Sequence, residues 1–315
     1  MSTILIASLE PGEGRTAITA GLGARLASDG RAVRLLRIRS GEGADPAAED
    51  DARTLAAVEG CTAPANAVSE QEVQAALADA SPLHLVEAPA GSAKELADRL
   101  QAKVILVGAR TGDLRLGDLA AAKSELGDSL LGVIVMREHE RSLDAATAAV
   151  RERGLRCLGA LPEDRMLAGP NVRELAEALR ASRLVEQGEE EEALEFVMLG
   201  PISSDPGQPY FLQHPYKAVI NRFDKMDLHL AALATEPECL VLTGGQQPSP
   251  YLLDRVAGSD LSITVLLSPE NTVRTMELVD DLFPRTRFVG NRKRERAIEL
   301  VEQHVDLAEI TRGLD

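Results

Sequence analysis

The chain has 315 residues, of which 50 are acidic and 34 basic, so its formal net charge at pH 7 is −16, and 44% of its residues are hydrophobic. This apolar fraction excludes a disordered chain and suits two ordinary domains. The acidic balance argues against a nucleic-acid partner, because binding a phosphate backbone requires clustered cations. No apolar run approaches the roughly 20 residues that span a bilayer, so we expect no membrane partner.

The N-terminus and the cysteines together predict the compartment. The first residues lack the basic segment of a secretory signal. Cys61, Cys157 and Cys239 are odd in number and far apart, which supports neither a disulfide framework nor a zinc clip. We therefore predict a reduced, cytoplasmic protein.

Aromatic side chains are confined to one part of the chain. All of them, five Phe and three Tyr, lie beyond residue 195. The first 195 residues therefore cannot stack a base on a ring, and a nucleotide bound there would be held mainly by its phosphates. If an adenine is stacked in this protein, Phe223 and Tyr251 are the rings to expect. An acidic run at 187–192 lies close to this compositional change and predicts a solvated linker.

Short apolar runs in the first half predict buried strands of a parallel sheet. These runs are 3–8, 32–38, 83–87, 103–108 and 131–136. Helical spacing occurs between them, as at 17–28 and 95–101, whereas 40–51 is rich in Gly, Pro and acids and predicts a loop. The alternation predicts a doubly wound, mainly parallel α/β domain.

The pattern repeats on a smaller scale in the second half. Predicted strands are 217–221, 239–243, 262–267 and 285–289, and predicted helices are 227–235, 250–257, 270–282 and 294–304. We therefore predict a first domain at 1–185, an acidic linker at 186–199 and a smaller α/β domain at 200–315.

The first strand leads into a glycine-containing loop, 9–16 (LEPGEGRT), and then into a helix. Such a turn cradles phosphate, because free backbone N–H groups and the positive end of the helix dipole converge on one anion. A P-loop places Gly-Lys-Ser/Thr where this chain has Gly14-Arg15-Thr16. We select Gly12 and Glu13 with these three as candidate phosphate ligands, while the motif alone leaves an ordinary strand–helix turn equally open.

Oxygen ligands for Mg²⁺ can be chosen near this loop. Thr16 has the position of the P-loop magnesium ligand. Glu87 ends a buried strand, where an open α/β sheet binds its ligands, and Asp50 and Asp51 follow the second strand. We predict a magnesium site at Thr16, Asp51 and Glu87, although each acid taken singly is more simply a loop-end residue.

Residues 3–180 resemble the dethiobiotin-synthetase-like P-loop domain at the N-terminus of long phosphate acetyltransferases. The matching pieces are the loop 10–16 (EPGEGRT), 86–91 (VEAPAG), 130–134 (LLGVI) and 159–167 (GALPEDRML), followed by an Asn171-Val172 helix start. The resemblance implies a P-loop-type fold that binds Mg²⁺ and ATP or another adenine nucleotide.

The chain departs from that family at its cations and its base reader. Arg15 stands where the family has its loop lysine, and Arg37 stands where it has a second lysine. Met136-Arg137 stands where an asparagine would read adenine. We include Arg37 among the candidate phosphate ligands. Because guanidinium is larger and aimed differently from ammonium, we expect impaired γ-phosphate chemistry.

Residues 200–310 resemble the DRTGG domain through 221–233 (NRFDKMDLHLAAL) and 239–250 (CLVLTGGQQPSP). In that family the domain accompanies nucleotide-sensing modules, which implies a regulatory role. The candidate pocket residues are Asp224, Asp227, Thr243, Gly244, Gly245 and Gln246. Asp224 is expected to cap the following helix. A ligand pocket, and turns that only shape a homodimer contact, remain equally open.

No catalytic residue follows from the histidines, which show no paired spacing; His229 falls on an apolar helix face and predicts packing. Two functions stay open. The first is a regulatory, oligomeric protein that senses a small anionic ligand and signals to a separate acetyltransferase. The second is an ATP-dependent ligase or ATPase of the dethiobiotin synthetase type. Since the chain ends at Asp315, before the family's acetyltransferase domain, we expect no acetyl transfer by that route; a purely structural scaffold is a weaker third alternative.

Overall fold

The computed structural model describes residues 3–41, 43–110, 113–201 and 207–314. Contacts divide the chain into two compact units. The first comprises the chain up to Asp164 together with Lys293 onward, and the second comprises Arg165–Arg292. The structure thus divides the chain elsewhere than at the predicted boundaries 185 and 199, which both fall inside the second unit.

The first unit contains a seven-stranded sheet in which every pairing is parallel. Its strands are β1 (Thr3–Ser8), β2 (Val33–Arg37), β3 (Cys61–Thr62), β4 (Leu83–Glu87), β5 (Lys103–Ala109), β6 (Leu130–Glu138) and β7 (Cys157–Pro162). Their order is β3-β2-β4-β1-β5-β6-β7, which places β1 and its following loop at the middle of the sheet. The strand cores are buried on both faces, as their apolar runs predict.

Helices connect these strands. They are α1 (Arg15–Ser28), α2 (Pro46–Ala56), α3 (Glu70–Leu77), α4 (Ala93–Leu100), α5 (Asp113–Leu126) and α6 (Leu143–Glu152). The doubly wound α/β class predicted for this part is confirmed. The loop predicted at 40–51 is partly wrong, because Asp45 caps α2 by accepting a hydrogen bond from the Ala48 N–H at 3.1 Å, and Pro46 suits the first helical position.

The second unit contains a five-stranded sheet with helices α7 to α12. The strands are β8 (Ser182–Glu186), β9 (Phe196–Leu199), β10 (Lys217–Arg222), β11 (Cys239–Thr243) and β12 (Thr264–Leu267). The helices are α7 (Arg165–Ala168), α8 (Val172–Ala178), α9 (Gly207–Leu212), α10 (Met226–Leu233), α11 (Pro250–Ala257) and α12 (Thr272–Leu282). The order is β8-β12-β11-β10-β9, with β8 antiparallel and the other pairings parallel. The predicted helix start at Asn171 is confirmed as a capping box.

The acidic run does not behave as a free linker. It lies between β8 and β9, and its carboxylates pair within the second unit: Glu190 with Arg183 at 2.8 Å and Glu191 with Arg173 at 2.9 Å. Glu192 accepts hydrogen bonds from two backbone N–H groups, those of Asn291 and Arg292. The high charge density of this run therefore reflects ion pairs and hydrogen bonds within the second unit, and the run is not an unpacked linker.

The strand predicted at 285–289 is wrong. The place beside β12 is taken by antiparallel β8, and residues 286–289 form neither helix nor strand. The chain then enters α13 (Asn291–His304) and α14 (Leu307–Arg312). Apart from the first two residues of α13, these helices belong to the first unit.

Aromatic residues follow this division. All eight lie between 165 and 292, so the first unit, including its returning segment, contains no Phe, Tyr or Trp. No helix in the described part of the chain is long and apolar enough to cross a membrane.

Candidate phosphate-binding site

The glycine-containing loop lies at the carboxyl edge of the first sheet, where β1 passes into α1. Gly14 precedes α1 with φ +95°, a conformation that favours glycine. A Cβ at Gly14 would stand 2.8 Å from the Met136 Cε atom, so a side chain at this position would have to displace Met136. No side chain caps α1, which leaves the first N–H groups of the helix for another acceptor.

Glu13 holds the loop from within. One oxygen, Oε2, accepts hydrogen bonds from the Leu9 and Glu10 N–H groups, both at 3.1 Å. The other, Oε1, accepts from the Ala109 N–H at 3.3 Å and lies 3.2 Å from an Arg115 guanidinium nitrogen. The residue is only 3% exposed. Glu13 is therefore a brace of the loop, which differs from the predicted role as a direct phosphate ligand.

Arg15 is buried, and its guanidinium lies at the end of the neighbouring strand, β4. Its Nη1 donates to the Ala88 carbonyl, and its Nε lies 4.0 Å from Glu87 Oε1. Burial lowers the pKa of Arg15, while the Glu87 carboxylate acts in the opposite direction. The guanidinium is thus bonded to the protein instead of extending as a mobile point charge.

Arg37 joins the two predicted metal-binding carboxylates. Its Nε lies 3.0 Å from Asp51 Oδ2 and 3.3 Å from Glu87 Oε1, and its Nη1 donates to the Ile38 carbonyl. The Thr16 hydroxyl donates to Glu87 Oε1 at 3.0 Å. We call these five residues (Arg15, Thr16, Arg37, Asp51 and Glu87) the arginine–carboxylate cluster.

Burial sets the charge of this cluster. It raises the pKa of Glu87 to about 7, and the nearby Asp51 carboxylate adds to the rise. Burial also raises the pKa of Asp51 against the pull of Arg37. With Glu87 partly protonated at neutral pH, two guanidiniums face fewer than two full negative charges, which favours an approaching anion.

The structure places Thr16, Asp51 and Glu87 close together, with a guanidinium beside both carboxylates. Asp50 instead pairs with Arg53. Among the described residues, no group of three or more His, Cys, Asp and Glu side chains is placed to hold a metal ion.

Sequence reasoning did not identify the arginines at the ends of β5 and β6. Arg110 follows β5 with φ +52°, and Arg137, near the end of β6, has φ +60°, a region that non-glycine residues rarely occupy. The Arg137 guanidinium donates to the Gly12 carbonyl of the loop. Arg115 contacts Glu10 at 3.0 Å as well as Glu13. The only feature of the sequence that pointed to these residues was Arg137, in the Met136-Arg137 pair that stands where an asparagine would read adenine.

An open cleft of about 840 Å³ lies at the same edge of the sheet, and its lining includes Ile38 and Pro89, which follow Arg37 and Glu87 closely in sequence. It is bounded by the chain after β2, the chain after β4, and helices α3 and α4. Its polar lining includes Arg39, Ser40, Ser69, Gln74, Ser92 and Arg99. Its volume is within the range of small-ligand sites.

In the second unit, the two predicted DRTGG loops come together. The Phe223 N–H donates to the Thr243 carbonyl at 3.0 Å, and the Phe223 ring covers Gly244, with Cδ1 3.0 Å from where a Cβ would stand. However, the Gly244 N–H donates to the Glu270 carbonyl at 2.7 Å, and the Gly245 N–H to Ser268 at 3.1 Å. These N–H groups shape the turn and are not free for an anion.

The remaining predicted pocket residues divide between surface and core. Asp224, Asp227 and Gln246 are exposed, and Thr243 is buried with its hydroxyl 2.7 Å from that of Thr272. The predicted cap at Asp224 is wrong, because Lys225 precedes α10 and the Asp224 carboxylate instead accepts from Arg222 at 2.8 Å.

His229 is fully buried, as predicted. Its Nε2 lies 2.9 Å from the Arg222 carbonyl oxygen, and burial lowers the pKa of the ring.

Fold and loop together define the first unit as a parallel α/β domain with a P-loop-like turn at its carboxyl edge. Residues 174–282 match the family model of the DRTGG domain. That part of the chain is a DRTGG domain, which confirms the prediction, although the match begins before residue 200.

Solved structures show partial similarity. The CBS and DRTGG domains of the regulatory region of Clostridium perfringens pyrophosphatase, complexed with the activator diadenosine tetraphosphate, match at 17% identity, 36% of this chain, 46% of that chain and a TM-score of 0.31. The Aquifex aeolicus cell division protein MinD matches at 20% identity, 53% of this chain and 84% of that chain, with a TM-score of 0.39. In the MinC:MinD complex of the same organism the TM-score is 0.40.

Proposed function

We propose that this chain is a regulatory, ligand-sensing protein that binds a small phosphorylated anion at the loop of the first unit. An adenine nucleotide is the first candidate ligand, and acetyl phosphate the second. The DRTGG domain supports a regulatory role, and the uncapped start of α1 behind Gly14 supports anion binding.

One observation carries the proposal: both arginines that replace the family's lysines are committed to the protein. Arg15 bonds to the end of β4, and Arg37 to Asp51 and Glu87. A P-loop cation stabilises the transferring phosphoryl group by contacting its oxygens, whereas these two guanidiniums contact protein carbonyl and carboxylate oxygens. The site therefore binds its ligand without transferring phosphate.

Thermal shift on the whole chain tests this, using ATP, ADP, AMP and acetyl phosphate. A ligand at 100 times its Kd stabilises the native state by about 2.7 kcal/mol. Gly14→Ala should abolish the shift, because the added Cβ meets Met136 and φ is +95°. Gly30→Ala is the matched control: φ is +83° at the far end of α1, and nothing lies within 4 Å. Absence of a shift with every ligand would contradict the proposal.

A second candidate, an ATP-dependent ligase or ATPase, is favoured by the convergence of Thr16 on Glu87 at 3.0 Å. It requires Mg²⁺ at carboxylates that Arg37 already binds. A steady-state assay of ADP release separates the candidates: turnover that Thr16→Ala abolishes would support the enzyme, whereas activity created only by Arg15→Lys would support a degenerate site.

We further propose that the protein acts in the cytoplasm as a homo-oligomer and signals to a separate acetyltransferase. The candidate contact residues are the exposed apolar side chains of the second unit, among them Leu212 at 63%, Tyr251 at 57% and Val273 at 71% exposure. Light scattering after size exclusion should give more than one copy per particle, and a monomer that ignores added acetyltransferase would contradict this part.

A further inference from the structure

The arginine–carboxylate cluster stands where the resemblance to dethiobiotin-synthetase-like domains puts a divalent cation. Mg²⁺ binds carboxylate oxygens at about 2.0–2.1 Å and demands near-octahedral geometry. Here one nitrogen, Arg37 Nε, lies 3.0 Å from Asp51 Oδ2 and 3.3 Å from Glu87 Oε1. A metal on those same oxygens would lie against a guanidinium.

Arg37 is held in that place. It is 5% exposed, and its Nη1 is bonded to the Ile38 carbonyl. Arg15 adds a second buried guanidinium beside Glu87. Arg15 and Arg37 already place two positive charges beside the two carboxylates, so a divalent cation would add two uncompensated charges to a buried site, which is strongly unfavourable. The residues therefore do not fit a resident Mg²⁺.

We propose that Arg37 takes the place of the divalent cation, so that this site excludes Mg²⁺ and takes its phosphorylated ligand in the metal-free form. The ligand part of this inference rests on the proposed function, whereas the exclusion of metal does not. The chemical class expected is a phosphate ester or polyphosphate anion.

Exclusion of metal is tested by titrating Mn²⁺ alone and measuring free Mn²⁺ by electron paramagnetic resonance. The titration is run at pH 8, above the pKa of Glu87 near 7, so that both carboxylates are ionised and the metal has its best opportunity. Wild type should bind Mn²⁺ no more tightly than about 1 mM. Arg37→Gln should create a site at least about tenfold tighter, because it leaves Asp51 and Glu87 without their guanidinium. The double variant Arg37→Gln, Glu87→Gln should lose that site again.

Arg34→Gln is the matched control, since it removes the same charge from the same strand, β2, and should create no Mn²⁺ site. Tight Mn²⁺ binding by wild type that Glu87→Gln abolishes would overturn the inference, and this comparison stands even if Arg37→Gln fails to fold. A folded Arg37→Gln protein that gains no Mn²⁺ site would also overturn the assignment to Arg37.

The ligand part is tested by calorimetric titration of pyrophosphate in EDTA and in excess Mg²⁺. We expect saturable binding in EDTA that Mg²⁺ does not tighten. Binding that appears only with Mg²⁺ would overturn the inference. Absence of pyrophosphate binding in both buffers would overturn the proposed function and the ligand part together, and the Mn²⁺ titration would still decide the exclusion of metal.

Discussion

At the scale of single residues, Glu13 shows how a buried carboxylate holds the loop between β1 and α1. Its carboxylate collects hydrogen bonds from three backbone N–H groups, those of Leu9, Glu10 and Ala109. It also pairs with Arg115 at 3.2 Å. The buried carboxylate therefore holds the loop in place through these hydrogen bonds and this ion pair.

We expect Glu13→Gln to lower the free energy of unfolding of the first unit by about 1.5–3 kcal/mol, the usual size of a hydrogen bond to a charged group. Thermal unfolding followed by far-UV circular dichroism measures this. Glu10→Gln is the control, because Glu10 shares Arg115 but its side chain is 67% exposed, and its loss should cost no more than about 1 kcal/mol. Equal effects of the two substitutions would contradict the role of Glu13 as a brace.

Glu87 makes the stability of the folded state depend on pH. Burial raises its pKa from 4.5 to about 7, so between these values the folded state retains a proton that the unfolded chain releases. The stabilisation from this proton is complete below pH 4.5, falls as pH rises, and is gone above about pH 7.

Glu87→Gln removes that titration. The stability of wild type relative to the variant should therefore fall between pH 5 and pH 7, at most by about 1.4 kcal/mol per pH unit, and stay level above. Unfolding midpoints of both proteins across pH 5 to 8 measure the difference. Parallel pH profiles would show that Glu87 is not the titrating group.

The sequence predicted which residues meet at this site but not how they bond. Parallel strands bring their carboxyl ends to one edge, so Thr16 and Glu87 were expected near each other. Whether Arg37 faces a phosphate or a carboxylate depends on side-chain direction, which a motif does not contain. Arg115 and Arg137 lie far from the loop in sequence and belong to no motif, so only the structure places them there.

At the scale of elements, the strands whose bounds were predicted correctly are fully buried ones. β1, β4 and β11 were predicted with their observed bounds, because a strand buried on both faces is a continuous apolar run. β8 and β9, both edge strands of their sheet, were missed: β8 (SRLVE) has no continuous apolar run, and the run of β9 (FVML) is only four residues long and lies in the segment predicted as a linker.

Helix α1 packs closely against the returning helix α13. A Cβ at Gly21 would lie 2.4 Å from Val301 Cγ2 and 3.0 Å from the Ala297 carbonyl oxygen. Gly21→Ala should therefore destabilise the protein by about 1–3 kcal/mol through overpacking, even though alanine favours a helix.

Gly117→Ala is the control for that substitution. Gly117 lies inside α5 with nothing within 4 Å, so alanine should stabilise by about 0.4–1 kcal/mol. Unfolding midpoints of the two variants should move in opposite directions. A shift of both in the stabilising direction would contradict the close packing of α1 on α13.

At the scale of the whole molecule, the chain leaves its first unit and returns to it. The Asp306 N–H donates to the Leu158 carbonyl at 2.8 Å, and Arg296 pairs with Asp164 at 2.8 Å. Apolar spacing predicted a helix at 294–304 but not the unit that it joins, because the same spacing suits packing against either sheet. The aromatic residues mark the second unit faithfully because none lies outside 165–292.

A chain ended after Arg292 should lose stability only in its first unit. Near-UV circular dichroism reports the second unit alone, because it holds every Tyr and Phe, whereas far-UV signal reports both. We expect a lower far-UV midpoint for part of the signal and an unchanged near-UV midpoint. A near-UV transition that moves instead would place α13 and α14 with the second unit.

The central claim is that the first unit binds a phosphorylated ligand without metal and without turnover. Calorimetric titration of the full chain with ATP in EDTA, followed by assay of the same solution for ADP after Mg²⁺ is added, tests it most directly. We expect saturable binding in EDTA and no ADP. Binding that requires Mg²⁺, with ADP production that Thr16→Ala abolishes, would contradict it.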